Sequence, residues 1–475
     1  MTEKNSRAVL SHGAAPVIAH AIAISLLCAP ALWNGFPLMF DDVGGYLERW
    51  PTGTLGQGRS AAYGLLLWIT RRGSFFPVVL LQAAVTVFVV GCALKIFLRR
   101  AGLMASGTAT LPVPSPWLLP VVIAAIGLTS GVAFSVCKLI PDAWAAPAVL
   151  ALHLLGWHRK SLTRAEGAVL FGVVVFAGAS HMATFGVLAG LSVLYVIAWL
   201  VRRSLNLAPS GIVVAVAAVW AGLVLLLGVN AVVAGRVALT PGGEIFLLGR
   251  LVEDGMAREI LSEECPRPDW RLCASRDALP DNLEAFVFAG DSSLNKIGGA
   301  HDPDVQREAR SIIARSLVRH PLEHLERAVV LTVRQVFDVG TGGIMEPLMA
   351  AHARWVLTLH APTLVPGFDA ARQQTGSIDL GTWSDWIVVP VSIVTTLALP
   401  GLAAFQWRGG RRREAVWPAV LFLALLGNAA ICGVMVGSSD RYQARLVWLA
   451  TLTGLIVPIR ALRGYDEIPL GAAAT

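Results

Sequence analysis

Long apolar runs alternate with short basic loops along almost the whole of this 475-residue chain. A helix needs roughly 17–25 apolar residues to cross a bilayer, and about ten runs approach that length. They lie near 14–36, 75–98, 116–137, 142–157, 166–182, 184–201, 211–234, 385–405, 415–437 and 442–460. The fourth and fifth are short for a crossing. The pattern predicts an all-α polytopic membrane protein. The first run lacks a small-residue cleavage site, so it reads as a span and not a signal peptide.

Two stretches break the rhythm. The loop 37–74 is glycine-rich and contains "GRSAAYGLLLWITRR", too short to span and closed by Arg71 and Arg72, which predicts an interfacial helix. The segment 238–383 has no spanning run. Within it "DVQREARSIIARSLVRHPLEHLERAVVLTVRQVF" repeats apolar residues at helical spacing and is broken at Pro321, predicting two amphipathic helices. "EPLMAAHARWVLTLHAP" predicts another. The expected organisation is a transmembrane module over 1–237, a small helical outer domain over 238–383 and a second transmembrane module over 384–475.

Composition agrees with this reading. The chain is 55% hydrophobic and 15% charged, with a mean hydropathy of +0.64; an ordinary soluble domain is about a quarter charged. The formal charge of +7 does not point to nucleic acid, because the excess Lys and Arg sits in short loops. Lys4/Arg7, Arg99/Arg100, Arg159/Lys160/Arg164, Arg202/Arg203, Arg408 with Arg411 to Arg413, and Arg460/Arg463 all fall on one side of the predicted helices. The positive-inside rule makes that side cytoplasmic and puts both termini there. Cys28, Cys92, Cys137 and Cys432 lie in apolar runs, whereas Cys265 and Cys273 are close together in the outer segment, where a local disulfide is the natural expectation.

The chemically unusual residues gather on the other side. Asp41 and Asp42 adjoin in "FPLMFDDVGGYLERWP", followed by Gly44, Gly45 and Tyr46. They are either solvated loop acids or a pair in which one carboxylate serves as general base while the other fixes a cation or the acceptor. Asp142 follows Pro141 and reads as a helix cap, with Lys138 near enough to pair with it. Arg59 and Tyr63 lie in the interfacial stretch; Arg59 is either an interfacial anchor or a phosphate ligand. His181 falls where two apolar runs meet, and is a structural residue or a ligand. Asp440 and Arg441 at the start of the last helix read as a structural pair, or Arg441 and Arg445, one helical turn apart, as a receiver of a phosphate or diphosphate. Ionisable groups at a membrane edge are functional suspects as a set.

The order of these stretches resembles the GT-C class of polytopic glycosyltransferases, in particular its bacterial protein-mannosyltransferase and aminoarabinose-transferase-like members. "FDDVGGYLERW" is similar to their acidic first-loop signature and "GRSAAYGLLLWI" to the K/R-P-P-x-Y segment, with Ser60, Ala61 and Ala62 in place of the prolines. "PDAWAAPAVLALHLLGWHRK" resembles the second acidic motif. "GASHMATFGVLAGLSVLYV" resembles the stretch carrying TKGP, with His181-Met182 where a lysine is expected. "LVRHPLEHLERAV" resembles HPxxYLxR and "SDRYQARLVWLATLTGL" the terminal RYLLPxxPxL helix. The resemblance implies transfer of a sugar from a polyprenyl-phosphate donor to an envelope glycan, lipid or protein, on the extracytoplasmic face of a bacterial inner membrane. It implies Asp41 as base and Asp42 as acceptor orienter or ligand of Mg²⁺ or Mn²⁺, a metal that some members use and others do not. Asp142 would support the sugar or base, and Arg59, Arg441 and His181 would hold the phosphate.

Other readings are a transporter or flippase, a non-catalytic envelope-assembly protein, and another lipid-linked group transferase. A transporter predicts charges or broken helices near the bilayer midplane in two matching halves; the charges here lie at one edge. An acyl- or phosphoglycerol-transferase calls for a catalytic His or Ser motif, for which His181 stands alone.

Overall fold

The computed structural model describes residues 3–55, 59–98, 115–235, 237–240, 242–266, 269–341, 351–376 and 380–462. Arg99, Arg100, Arg463 and the start of the expected helix over 346–350 lie outside them. Among the described residues every regular element is helical, and the strand-like pairing seen is two isolated bridges, Leu38 with Lys138 and Arg59 with His181. Both bridges join segments that matter below.

Seven helices are long and apolar enough to cross a membrane: Ala14–Asn34, Phe76–Phe97, Met182–Leu200, Ile212–Ala234, Ser384–Arg408, Arg412–Met435 and Asp440–Ile459. The run expected over 116–137 is not one helix. It forms Leu118–Thr129 and Val132–Cys137, separated at Ser130, whose backbone is extended. The runs at 142–157 and 166–182 become a 3₁₀ turn plus Ala145–His158, 14 residues, and Arg164–Ser180, 17 residues. Thr163 and Glu166 form a capping box that starts the latter, and Gly235, with positive φ, ends Ile212–Ala234. The bundle exterior carries large exposed apolar side chains, among them Val213, Val224, Val232 and Phe405. Such a belt suits lipid contact better than water.

Helices Phe76–Phe97 and Asp440–Ile459 are the most enclosed spans, 61% and 67% buried, and form the centre of the bundle. In the loop between the first two spans, Ser60 caps Ala61–Thr70 by accepting from the Ala62 amide. Gly64 is needed there, because a side chain would strike the Tyr46 carbonyl.

The segment expected as one outer domain divides. Residues 245–313 build a core of their own around Ile245, Leu248, Ile260, Phe286 and Ile312. Val339 and the stretch from Ala353 to Ala371 instead join the main core, because helix Ala351–His360 packs on the first-loop helix Asp42–Leu47. Gly44 permits that approach: a Cβ there would lie 2.8 Å from the His352 ring and 3.2 Å from the Ala353 backbone. Gln373 adds a second tie. Its side-chain amide donates to the Met39 carbonyl and accepts from the Met39 amide, while its own amide donates to Asn34. Helix Pro321–Phe337 packs along the spanning helix Arg412–Met435, so the boundary between domain and bundle is made by packing and not by a linker.

Cys265 and Cys273 are joined in a disulfide at the edge of the outer core, and the other cysteines are free and buried. Cross-linking so short a loop stabilises by about 2–3 kcal/mol through the unfolded state. Reduction is therefore expected to expose two thiols to alkylation, counted by intact mass. It should lower the outer domain's unfolding midpoint while leaving Cys28, Cys92, Cys137 and Cys432 unlabelled until the bundle unfolds.

Candidate functional site

The segments after Pro37, after Gln57, around Lys138 to Asp142, at His181 and at the start of the terminal helix are far apart in sequence. The bridges Leu38–Lys138 and Arg59–His181 align the first four. Gln82 secures the third, its amide donating to the carbonyls of Val136 and Lys138 while its Oε1 accepts from the Tyr63 hydroxyl. The result is a cluster of charges at one end of the bundle.

Asp42 accepts from Arg59 Nη2 at 2.5 Å through Oδ1 and from Arg441 Nη1 at 2.9 Å through Oδ2. Arg441 also approaches Asp142, its Nε 3.6 Å from Oδ2, and thus links the two carboxylates. Asp142 Oδ1 accepts from Arg445 Nη1 at 2.7 Å, and this pair is almost wholly enclosed, 5% and 1% exposed. Arg445 spends its remaining reach on His181 Nδ1 at 3.0 Å, Asn428 Oδ1 at 2.6 Å and Cys432 Sγ at 3.3 Å. Arg59 lies across Gly45, where a Cβ would sit 2.5 Å from its Cδ. Phe40 roofs the group, with the Arg441 guanidinium 4.4 Å and the Lys138 ammonium 5.7 Å from its ring centre.

Several expectations change here. Asp142 does not serve as a cap; its carboxylate reaches across the bundle to the terminal helix. Lys138 does not pair with it, because Arg445 and Arg441 occupy both oxygens. Arg445 turns inward instead of receiving a ligand. Tyr63 is fully buried behind Tyr46, edge-to-face at 5.4 Å, with its hydroxyl committed to Gln82, so it braces the loop and does not line the site. His181 accepts from Arg445 and so holds an unprotonated Nδ1 toward it. Asp41 and Asp42, adjacent in sequence, point to different partners.

Asp41 Oδ1 accepts from the backbone amides of His352 at 3.0 Å and Ala353 at 3.4 Å, at the start of helix Ala351–His360. Its Oδ2 makes no hydrogen bond among the described residues. Partial burial raises its pKa, against the lowering effect of those amides and of the His352 ring. Burial also works against the charged form of Asp42, but the guanidiniums of Arg59 and Arg441 outweigh it and hold that carboxyl far below the usual range. Lys138 is 2% exposed and, among the described residues, makes no hydrogen bond or ion pair through its ammonium. Burial, helped by the nearby Arg441, lowers its pKa to about 7.

The sequence held no local sign of Asn428, which orients Arg445, or of the helix that Asp41 meets. Nor does the cluster offer an obvious cation seat, since both Asp42 oxygens are taken by guanidiniums. Among the described residues, the group with spacing suited to a metal lies elsewhere: Glu259, His320 and Glu323 bring ligand atoms within 4.8 Å of one another. Chemically, the cluster can hold an anion at Lys138 and the unused donors of Arg59 and Arg441, while the neighbouring Asp41 keeps one oxygen without a hydrogen bond among the described residues. Comparison with known protein families, curated proteins and solved structures finds no match to this chain.

Removing one partner of an enclosed ion pair leaves an uncompensated charge and costs about 3–5 kcal/mol. Asp142→Ala and Arg445→Ala are each expected to lose that much in denaturant unfolding of the purified protein, and the double variant less than the sum. Asp42 adds a pH term. Its folded pKa lies below the unfolded value, about 3.9, so its stabilisation is complete above that value and is lost as pH falls toward the folded one. Melting scans from pH 7 to pH 3 should show a fall in wild type that is shallower in Asp42→Asn.

Proposed function

We propose that the chain is a membrane glycosyltransferase that moves a sugar from a polyprenyl-phosphate donor to an envelope acceptor at the extracytoplasmic face of a bacterial inner membrane. In this reading the shorter apolar helices complete about ten crossings, both termini are cytoplasmic, and the charge cluster faces outward. The observation that carries it is Lys138. A lysine side chain only 2% exposed and without an ion pair among the described residues, beside two arginines with donors to spare, is costly to keep charged unless an anion completes it. An anion at a membrane edge, next to the segment where Asp41 keeps a carboxylate oxygen without a hydrogen bond among the described residues, suits a lipid phosphate ester about to lose its sugar.

The reaction follows from those positions. Asp41 Oδ2 accepts the proton of the acceptor hydroxyl as its oxygen bonds to the anomeric carbon. The bond from that carbon to the phosphate oxygen breaks, and polyprenyl phosphate leaves with the electron pair. Lys138, Arg59 and Arg441 take up the charge that grows on the phosphate. Asp42 holds the two arginines in place, Asp142 anchors Arg441 and Arg445 behind them, and His181 steadies Arg445. With both Asp42 oxygens engaged by guanidiniums, the donor set suits a reaction without a divalent ion. The transporter reading is less well supported, because the cluster joins helix ends and loops at one edge.

A general base contributes about 10²–10⁴-fold. Asp41→Asn is expected to reduce sugar transfer by that range with the protein expressed and folded. Lys138→Met should mainly weaken retention of the polyprenyl-phosphate donor. The check is the envelope glycan profile of a deletion strain complemented with each variant, with membrane levels measured alongside. Wild-type glycans from a well-expressed Asp41→Asn strain would remove the catalytic reading, and an unchanged profile in the deletion strain would favour a non-catalytic role.

A further inference from the structure

A second cationic recess lies at the far end of the interfacial helix. Helix Ala61–Thr70 starts beside Arg59 and rises about 15 Å over its length, ending at Arg71 and Arg72. There Trp68, Arg71 and Arg72 face Leu359, His360 and the turn after helix Ala351–His360 across a space of about 460 Å³. No acidic residue lines it. The Arg71 guanidinium lies 3.3 Å over the Trp68 ring, and the His360 ring meets the same indole edge-on at 6.3 Å. Arg72 is exposed and makes no ion pair among the described residues.

We propose that this recess binds the phosphate headgroup of an anionic membrane lipid, distinct from the ligand of the Asp42 cluster. Its surroundings argue for an amphiphile. Ile69, Trp355 and Leu359, on the two helices that form the recess, are 67%, 56% and 55% exposed, so apolar surface adjoins the paired arginines. The spanning helix Phe76–Phe97 begins a few residues after Arg72, which puts the pair at the boundary of the hydrocarbon region. A tryptophan at that depth is an interfacial anchor, and an arginine fork grips phosphate oxygens in two places. Basic pockets between membrane helices recognise headgroups through this combination. A free phosphate would satisfy the arginines and leave the apolar rim unused; a phospholipid satisfies both.

The test is native mass spectrometry of the full-length protein in mild detergent. It is titrated with phosphatidylglycerol, with phosphatidylcholine of the same acyl chains, and with inorganic phosphate. The expected result is a preference for phosphatidylglycerol on the order of tenfold. This preference should be lost in Arg71→Gln/Arg72→Gln and only partly kept in Arg71→Lys/Arg72→Lys, which retains charge without the fork. Equal binding of the two lipids by the wild type would overturn the proposal, whether or not the glutamine variant folds. So would an undiminished preference in that variant, or displacement of phosphatidylglycerol by millimolar inorganic phosphate.

Discussion

Arg441 is the constraint on which the rest of the molecule turns. It stands one residue into the terminal helix and reaches two carboxylates that arrive from different parts of the chain, Asp42 at 2.9 Å and Asp142 at 3.6 Å. In water such contacts contribute little, but at a protein rim with lipid around it the desolvation of each charge must be matched by a partner. Arg59 and Arg445 supply the matches on either flank. The loop after Pro37, the turn before helix Ala145–His158 and the terminal helix are thereby held in one arrangement. The loop after Pro37 becomes part of the bundle.

That arrangement also explains why adjacent aspartates behave differently. Two neighbouring carboxylates repel each other, and the fold separates them by giving each its own environment. Asp42 turns toward guanidiniums, and its charge becomes structural. Asp41 turns toward the amides that open helix Ala351–His360, which leaves one oxygen open and its pKa raised. Pairs of acids whose surroundings push their proton affinities apart commonly divide the roles of base and orienter. The glycines that follow make the separation possible: Gly44 admits the helix that Asp41 meets, and Gly45 admits the side chain that Asp42 holds.

Seven of the ten expected spans were legible because hydrophobicity accumulates over twenty or so residues and survives local irregularity. What the sequence hid was of three kinds. The break at Ser130 interrupts an apolar run with no charge or proline at the break, so periodicity carries no trace of it. Asp142 looks like a cap from its neighbours, and its true partner is 303 positions away. The division of 238–383 depends on which core a helix joins, and Ala351–His360 is amphipathic in a way equally suited to either. The candidate cluster was visible as a list of residues, but its internal pairing was not, because pairing is a property of tertiary packing.

The pairing changes what the resemblance implies for the phosphate. At His181, where a lysine is expected, this chain holds a neutral acceptor for Arg445. A site that merely lost its cation would leave a lipid phosphate poorly held. The bridge between Leu38 and Lys138 instead brings a lysine from another segment to the Phe40 ring that Arg441 also meets, without a carboxylate partner among the described residues. In the proposed reading, His181 is thus a brace, and the ammonium comes from the segment before Asp142. Physically, what a phosphate requires is a cation within reach that is not already neutralised. Which helix end supplies it is free to drift, provided the carboxylates remain occupied by the arginines behind it.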